Sequence, residues 1–317
     1  MAHHHLDAGP KTVHWGFLDA ALPPVLEIDT GDTVSVRTMS GSVDEVPAKG
    51  SFLVRDELLA VHDGVERRLG PHILNGPIFV RGAEPGDALR VTIVEVLLAD
   101  DWGYNLIAPH KGLLPNDFPI GGVIHFGIDR ENSRIKMPWG GTIPARPFFG
   151  VIGTAPAPEE GVVTSIVPGS FGGNIDNKEL TTGSVLFLPV ATRGGLLSVG
   201  DGHASQGDGE VCLTAVETGL AGTLRIDVIK DARLSAPHAE TKTHLIAMAF
   251  DEDFDEAVRT GVRRMIALIR EASALSAEQA YRLCSIAADV RITQVVNRKR
   301  GVHVMLPLAV LRECLTA

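Results

Sequence analysis

The densest set of reactive side chains in this 317-residue sequence lies in one glycine-rich stretch, Gly200-Asp201-Gly202-His203-Ala204-Ser205-Gln206-Gly207-Asp208-Gly209-Glu210. Asp201 and His203 are two positions apart, so on extended backbone both side chains project to one face. A carboxylate and an imidazole converging in this way can bind a divalent cation or orient a water molecule. The interleaved glycines admit positive φ and close approach of other groups, which a merely solvated loop does not need. The competing reading is a polar hairpin whose aspartates make side-chain turns. For the stretch as a whole the functional reading is preferred; Asp208 and Glu210, which repeat the spacing, read on their own as structural. Glu217 ends the next apolar run, sharing a face with Val211, Leu213 and Ala215. Buried there, it must be paired, protonated or metal-bound; just past the sheet, it is simply hydrated.

Other segments offer partners. Asp176, in Phe171-Gly172-Gly173-Asn174-Ile175-Asp176-Asn177-Lys178, could pair with Lys178 as a charge relay, although Lys178 reads more readily as ordering its turn. Glu240, in Ala236-Pro237-His238-Ala239-Glu240-Thr241, is a candidate base, with His238 in a supporting place. His14 beside Trp15, and His72 after Pro71, have the look of hydrogen-bonded structural residues. They stay on the list because metal sites draw ligands from distant strands. The nucleophile elbow G-x-S-x-G, the zinc motif H-E-x-x-H and the phosphate loop G-x-x-x-x-G-K-[ST] are absent, and no cysteine sits in a glycine-rich turn with partners. A hydrolase built from these residues would use an activated water, with a metal or a carboxylate lowering its effective pKa.

The elements that must position these groups read as mostly β up to about residue 250. Short runs rich in Val, Ile, Leu and Thr, at 33–37, 78–81, 89–96, 185–190, 210–217 and 223–230, are punctuated by glycine and proline. In the last run Leu224, Ile226 and Val228 alternate with Arg225 and Asp227, as in a strand with one buried face. Gly219 and Gly222 suggest a hairpin joining the runs that end at Glu217 and start at Thr223. After Phe250, apolar residues recur at helical spacing over 253–272, with Asp253 and Asp255 at the start where carboxylates favour the helix dipole. Ser276 with Gln279 forms a capping box for a second helix to about Ala288. Residues 290–296 read as a strand, and Pro307 opens a short final helix. The expectation is a mainly β fold, sandwich- or barrel-like, over residues 1–250, with an α+β portion at 251–317 packed on it.

Composition narrows the partners. Hydrophobic residues make up 44% and charged residues 21%, enough apolar content for a sizeable core. The formal net charge of −10 argues against nucleic acid or an anionic membrane surface as partner. Three scattered cysteines, no signal-peptide layout and no membrane-length apolar run lead to the expectation of a cytoplasmic protein. His3, His4 and His5 read as a tag remnant or frayed terminus rather than a metal cluster.

The strings Thr12-Val13-His14-Trp15-Gly16-Phe17, Asn75-Gly76-Pro77-Ile78-Phe79-Val80-Arg81-Gly82-Ala83-Glu84-Pro85-Gly86-Asp87, Phe171-Gly172-Gly173-Asn174-Ile175-Asp176 and, above all, residues 196–210 resemble the acetamidase/formamidase family, in particular its smaller bacterial-type members. The resemblance implies hydrolysis of the C–N bond of small linear amides to a carboxylate and ammonia, with γ-lactams and other cyclic amides as alternative substrates. It implies a mostly β architecture, a homodimer, and a divalent metal, zinc first and calcium second. The polar positions that match are His14, Asp176, Asp201, His203, Glu217 and Glu240. His14, Asp201 and His203 are then the metal ligands to test, and Asp176, Asp201, Glu217 and Glu240 the acid/base groups. His238 stands where an arginine is expected. A non-catalytic β-sandwich module holding a metal or a small polar ligand is the rival of another class.

Overall fold

The alternation at residues 223–230 is realised in the strand Leu220–Ile229, with Leu220, Leu224 and Ile226 fully buried. The computed structural model describes residues 1–315 and places this strand inside a nine-stranded sheet, between Thr33–Arg37 and Ala88–Leu98. An eleven-stranded sheet faces it. Val34, Val36, Leu224 and Ile226 of the first sheet share one apolar core with Phe149, Leu197 and Val199 of the second. The fold is mainly β, as the strand pattern implies.

Helices gather at the C-terminal side of the nine-stranded sheet. In Phe254–Ala272 the Asp253 side chain accepts from the Glu256 N–H, and Ala257, Gly261, Met265 and Ile269 form the buried stripe. Ser276 and Gln279 form the capping box that opens Ala277–Ala287. Met265 and Ile269 pack on Leu245, Ala247, Val304 and Leu306 of the sheet, so truncating either to alanine should cost about 2–5 kcal/mol. The strands Asp289–Gln294 and Arg300–Pro307 pair with each other, and the latter pairs with His244–Asp251. Segment 251–315 thereby continues the sheet begun by earlier residues. Leu308–Leu315 follows Pro307 as the last helix.

Three local expectations are corrected. Residues 210–215 are irregular, and only Val216–Glu217 is strand, so Glu217 owes its place to pairing between Tyr104 on one side and His203 on the other and not to a face shared with Val211 and Leu213. Gly219 and Gly222 do not close a hairpin: the chain leaves the eleven-stranded sheet at Glu217 and enters the nine-stranded one at Leu220. The N-terminal histidines are not frayed. His3–Asp7 pairs in parallel with Thr33–Arg37, and His4 Nε2 meets Asp32 Oδ2 at 3.0 Å. No described helix is long and apolar enough to cross a membrane.

Candidate active site

The glycine-rich stretch is not a loop at its chemical end. Leu197–Ser205 is one strand, carrying Asp201 and His203, flanked by Phe148–Gly153 on one side and by Ile73–Val80 and Val216–Glu217 on the other. The glycines serve close packing. A Cβ at Gly200 would lie 2.3 Å from the Ile73 carbonyl oxygen, and one at Gly202 would lie 2.4 Å from that of Thr218. Glycine therefore lets this strand press against its neighbours while Asp201 and His203 face the other way.

Four carboxylates surround one imidazole. His203 Nε2 lies 3.2 Å from Glu217 Oε1, 3.4 Å from Asp201 Oδ2 and 3.8 Å from Asp176 Oδ1. Glu210 joins from the irregular segment that follows the strand. Two groups of ligand atoms share His203, Asp176–His203–Glu210 and Asp201–His203–Glu217, each with all its atoms within 4.8 Å of one another. Asp176, Asp201 and Glu210 hold left-handed backbone, at φ 51°, 56° and 47°. Such positions are uncommon for side-chain-bearing residues and cluster at functional sites, where the surroundings enforce them.

Electrostatics follow from burial and crowding. Burial raises Asp176 to about 6 and Glu217 to about 8, and lifts Glu210 well above the carboxylate range. Burial also opposes the charge on Asp201, but the imidazoles of His72 and His203 outweigh it and hold Asp201 below its ordinary value. His203 is disfavoured as a cation by burial, yet Glu217 and Asp201 hold it protonated well above 6.5. Its other nitrogen is fixed. Gln206 Nε2 donates to the Asp176 carbonyl at 2.8 Å, which turns Gln206 Oε1 toward His203 Nδ1 at 2.8 Å. Nδ1 therefore carries the hydrogen, and the neutral ring would aim its Nε2 lone pair at carboxylates. A proton or a metal cation must sit there.

The donor set fits a divalent cation. Asp176 Oδ1, Glu210 Oε2 and Glu217 Oε2 are buried with no hydrogen-bond partner among the described residues. Buried anionic oxygens left without donors are satisfied by a cation or by protons. The carboxylates form the floor of a cavity of about 630 Å³, walled by Tyr104, His72, Asn174 and Asn297.

The remaining candidates are distributed unevenly. His14 is buried, with Nε2 on Ser198 Oγ at 3.0 Å, and belongs to neither group of ligand atoms. Glu240 is exposed in the nine-stranded sheet, paired with Val185 and Leu245, and does not line the cavity. His72 reaches the site, with Nε2 3.7 Å from Asp201 Oδ2 and Nδ1 on Ser165 Oγ at 2.8 Å. His238 stacks on Phe187 at 4.5 Å. Lys178 pairs with Asp208 at 3.1 Å rather than with Asp176, and Asp208 also holds Arg291. Glu210 belongs to the cluster, although its Asp-Gly-Glu context read as a polar turn. Asn297 and Gln206 were not singled out. Asn297 Nδ2 donates to Asp176 Oδ2, and it sits in a turn about 120 residues away that carries no motif.

A sequence model described as the Acetamidase/Formamidase family matches residues 18–162 and 157–313. The chain is 32% identical over 266 residues to a formamidase of Methylophilus methylotrophus, covering 66% of this chain and 62% of that protein. It is 28% identical over 218 residues to an acetamidase of Mycolicibacterium smegmatis, covering 50% of this chain and 54% of that protein. The aligned part thus spans less than two thirds of either relative. A crystal structure of an acetamidase from Bacillus halodurans superposes with a TM-score of 0.84 at 29% identity, covering 98% of this chain and 99% of that one. Matched along nearly its whole length, the chain belongs to the acetamidase/formamidase family.

Proposed function

We propose that this protein hydrolyses the C–N bond of small linear amides of the formamide and acetamide type, releasing ammonia and a carboxylate. The observation that carries the reading is a convergence above Gly150. A Cβ there would lie 2.5 Å from Asp176 Oδ1, 2.6 Å from Asp201 Oδ2 and 2.8 Å from His203 Nε2. Three reactive atoms therefore address one point, and two of the residues that carry them, Asp176 and Asp201, also line the cavity. The names of the relatives supply the substrate class.

Asp201, His203 and Glu217 would hold a divalent cation, zinc in preference to calcium, because an imidazole suits zinc and is foreign to an all-oxygen calcium cage. When bound, such an ion polarises a carbonyl and makes water more acidic. The chain's own groups do the rest. Gln206 keeps His203 presenting Nε2. Asp201 remains anionic beside the two imidazoles. Asp176 is anchored through Oδ2 by Asn297 and keeps Oδ1 unpartnered, so Oδ1 accepts the water proton and returns it to the amide nitrogen. That return is needed because an unprotonated amide nitrogen is a poor leaving group. His14 and Glu240 stand outside this scheme. A homodimer in the cytoplasm completes the proposal on the family resemblance.

The test is ammonia release from formamide and acetamide by the purified protein, with zinc supplied. Asp201→Asn should abolish turnover while circular dichroism shows the β-rich fold retained. Absence of ammonia from either amide would favour a metal- or ligand-binding module instead.

A further inference from the structure

The cavity is far larger than acetamide, since volumes of about 300–1,000 Å³ usually enclose drug-sized ligands. Its charge is also divided. Asp176, Asp201, Glu210 and Glu217 lie on the floor, with Glu45 on the wall bonded to the Tyr104 hydroxyl at 3.3 Å. Around the mouth stand Arg67, Arg68, His110, Lys111, Arg298 and Arg300, all exposed. Among the described residues the salt bridges of this chain engage none of them, although carboxylates outnumber cations overall and the net charge is −10.

Several of these side chains are held in place by something other than a carboxylate. The Arg68 guanidinium lies 4.4 Å over the Phe17 ring, and that of Arg67 lies 6.0 Å over Trp15 while its Nε donates to the Gly70 carbonyl at 3.2 Å. Arg300 donates to the Glu252 carbonyl. Arg298 and His110 occupy left-handed backbone, at φ 64° and 61°. Arg298 directly follows Asn297, whose side chain is tied to Asp176. Aromatic and backbone contacts position a guanidinium while leaving donors free for a bidentate partner.

We infer that this site takes amides carrying a carboxylate at the far end from the amide, the rim cations binding the carboxylate while the amide reaches the acidic floor. The inference rests on the amidase reading and narrows its substrate class to the monoamides of short dicarboxylic acids. Hydrolysis adds water across the C–N bond: hydroxide goes to the carbonyl carbon, a proton goes to nitrogen, the new acid group passes its own proton to the released ammonia, and a dicarboxylate and ammonium leave. No further reactant is needed.

Succinamate and succinamide have the same shape and differ in one terminal charge, so they isolate the effect. With the metal-loaded enzyme, kcat/KM should be about tenfold higher for succinamate, and raising the ionic strength should shrink the ratio, because exposed cations are screened. In Arg68→Gln and in Arg298→Gln the ratio should fall toward one. Both positions are exposed, so folding should survive; circular dichroism checks it. Calorimetric titration with each compound supplies a readout independent of turnover. Hydrolysis of acetamide with equal handling of succinamate and succinamide in every protein overturns the inference but not the amidase reading. Selective binding of succinamate, lost in the arginine variants and unaccompanied by any amide hydrolysis, overturns the amidase reading and supports the anion-binding rim.

Discussion

Gly150→Ala is the sharpest single test of the site. Gly150 lies in the strand Phe148–Gly153 beside Asp201, with no need of a left-handed backbone, so the main chain accepts alanine there. The new methyl would meet Asp176 Oδ1 at 2.5 Å, Asp201 Oδ2 at 2.6 Å and His203 Nε2 at 2.8 Å. Restoring ordinary contact at 3.4 Å requires these atoms to retreat by 0.9, 0.8 and 0.6 Å respectively. Displacements near 1 Å at reacting groups cost on the order of a hundredfold in rate. Crowding a buried site costs about 1–3 kcal/mol, partly offset by about 0.4–1 kcal/mol from a stiffer unfolded chain. The melting temperature should therefore drop by a few degrees beyond the loss that metal removal itself brings, while kcat/KM for formamide falls about a hundredfold and bound metal is lost. Ammonia release and elemental analysis on one preparation give both numbers. Parental turnover and parental metal content in this variant would refute the idea that the three groups act at a common point.

Gln206→Leu removes the amide that joins His203 Nδ1 to the Asp176 carbonyl, and metal affinity measured by competition should weaken about 10–100-fold with little change in the stability of the metal-free protein. Unchanged affinity would mean that the ring needs no such tether. Chelation should lower the melting temperature by about 5–10 °C, since an ion bound only by the folded chain stabilises it and its loss leaves crowded carboxylates behind; a scan unmoved by chelator would count against a resident metal. His14 is kept neutral because burial lowers it to about 4. Between that value and an unfolded value near 6.5 only the unfolded chain gains the proton, so stability is intact above 6.5 and is lost as pH falls toward 4, by on the order of 3 kcal/mol. His14→Gln should flatten denaturant-measured stability between pH 7 and pH 4.5 relative to the parent, and equal slopes would contradict the assignment.

Much of this was legible where chemistry and periodicity are local. The helix at 254–272 announces itself through its apolar spacing and its capping aspartate, and Asp201 and His203 through their separation by one residue. The same glycines misled about the backbone: Gly200 and Gly202 mark close strand packing, which looks like a loop in composition alone. Glu210 was hidden because a turn and a binding site use the same Asp-Gly-Glu grammar, and only the fold turns Asp208 outward to Arg291 and Glu210 inward. Asn297 was illegible because its partner Asp176 lies 121 residues away, and the rim arginines because their partners Trp15, Phe17 and Glu252 lie about fifty residues from them in the chain.

The order in which the chain is synthesised adds a further point. Asp176 and Asp201 emerge well before the hairpin of Asp289–Gln294 and Arg300–Pro307 that delivers Asn297. A nascent chain halted before residue 289 would hold the carboxylates without the amide that restrains one of them. Competence for proton transfer through Asp176 should then arrive abruptly, with the last tenth of translation, and any premature stop in that stretch should leave an inert product.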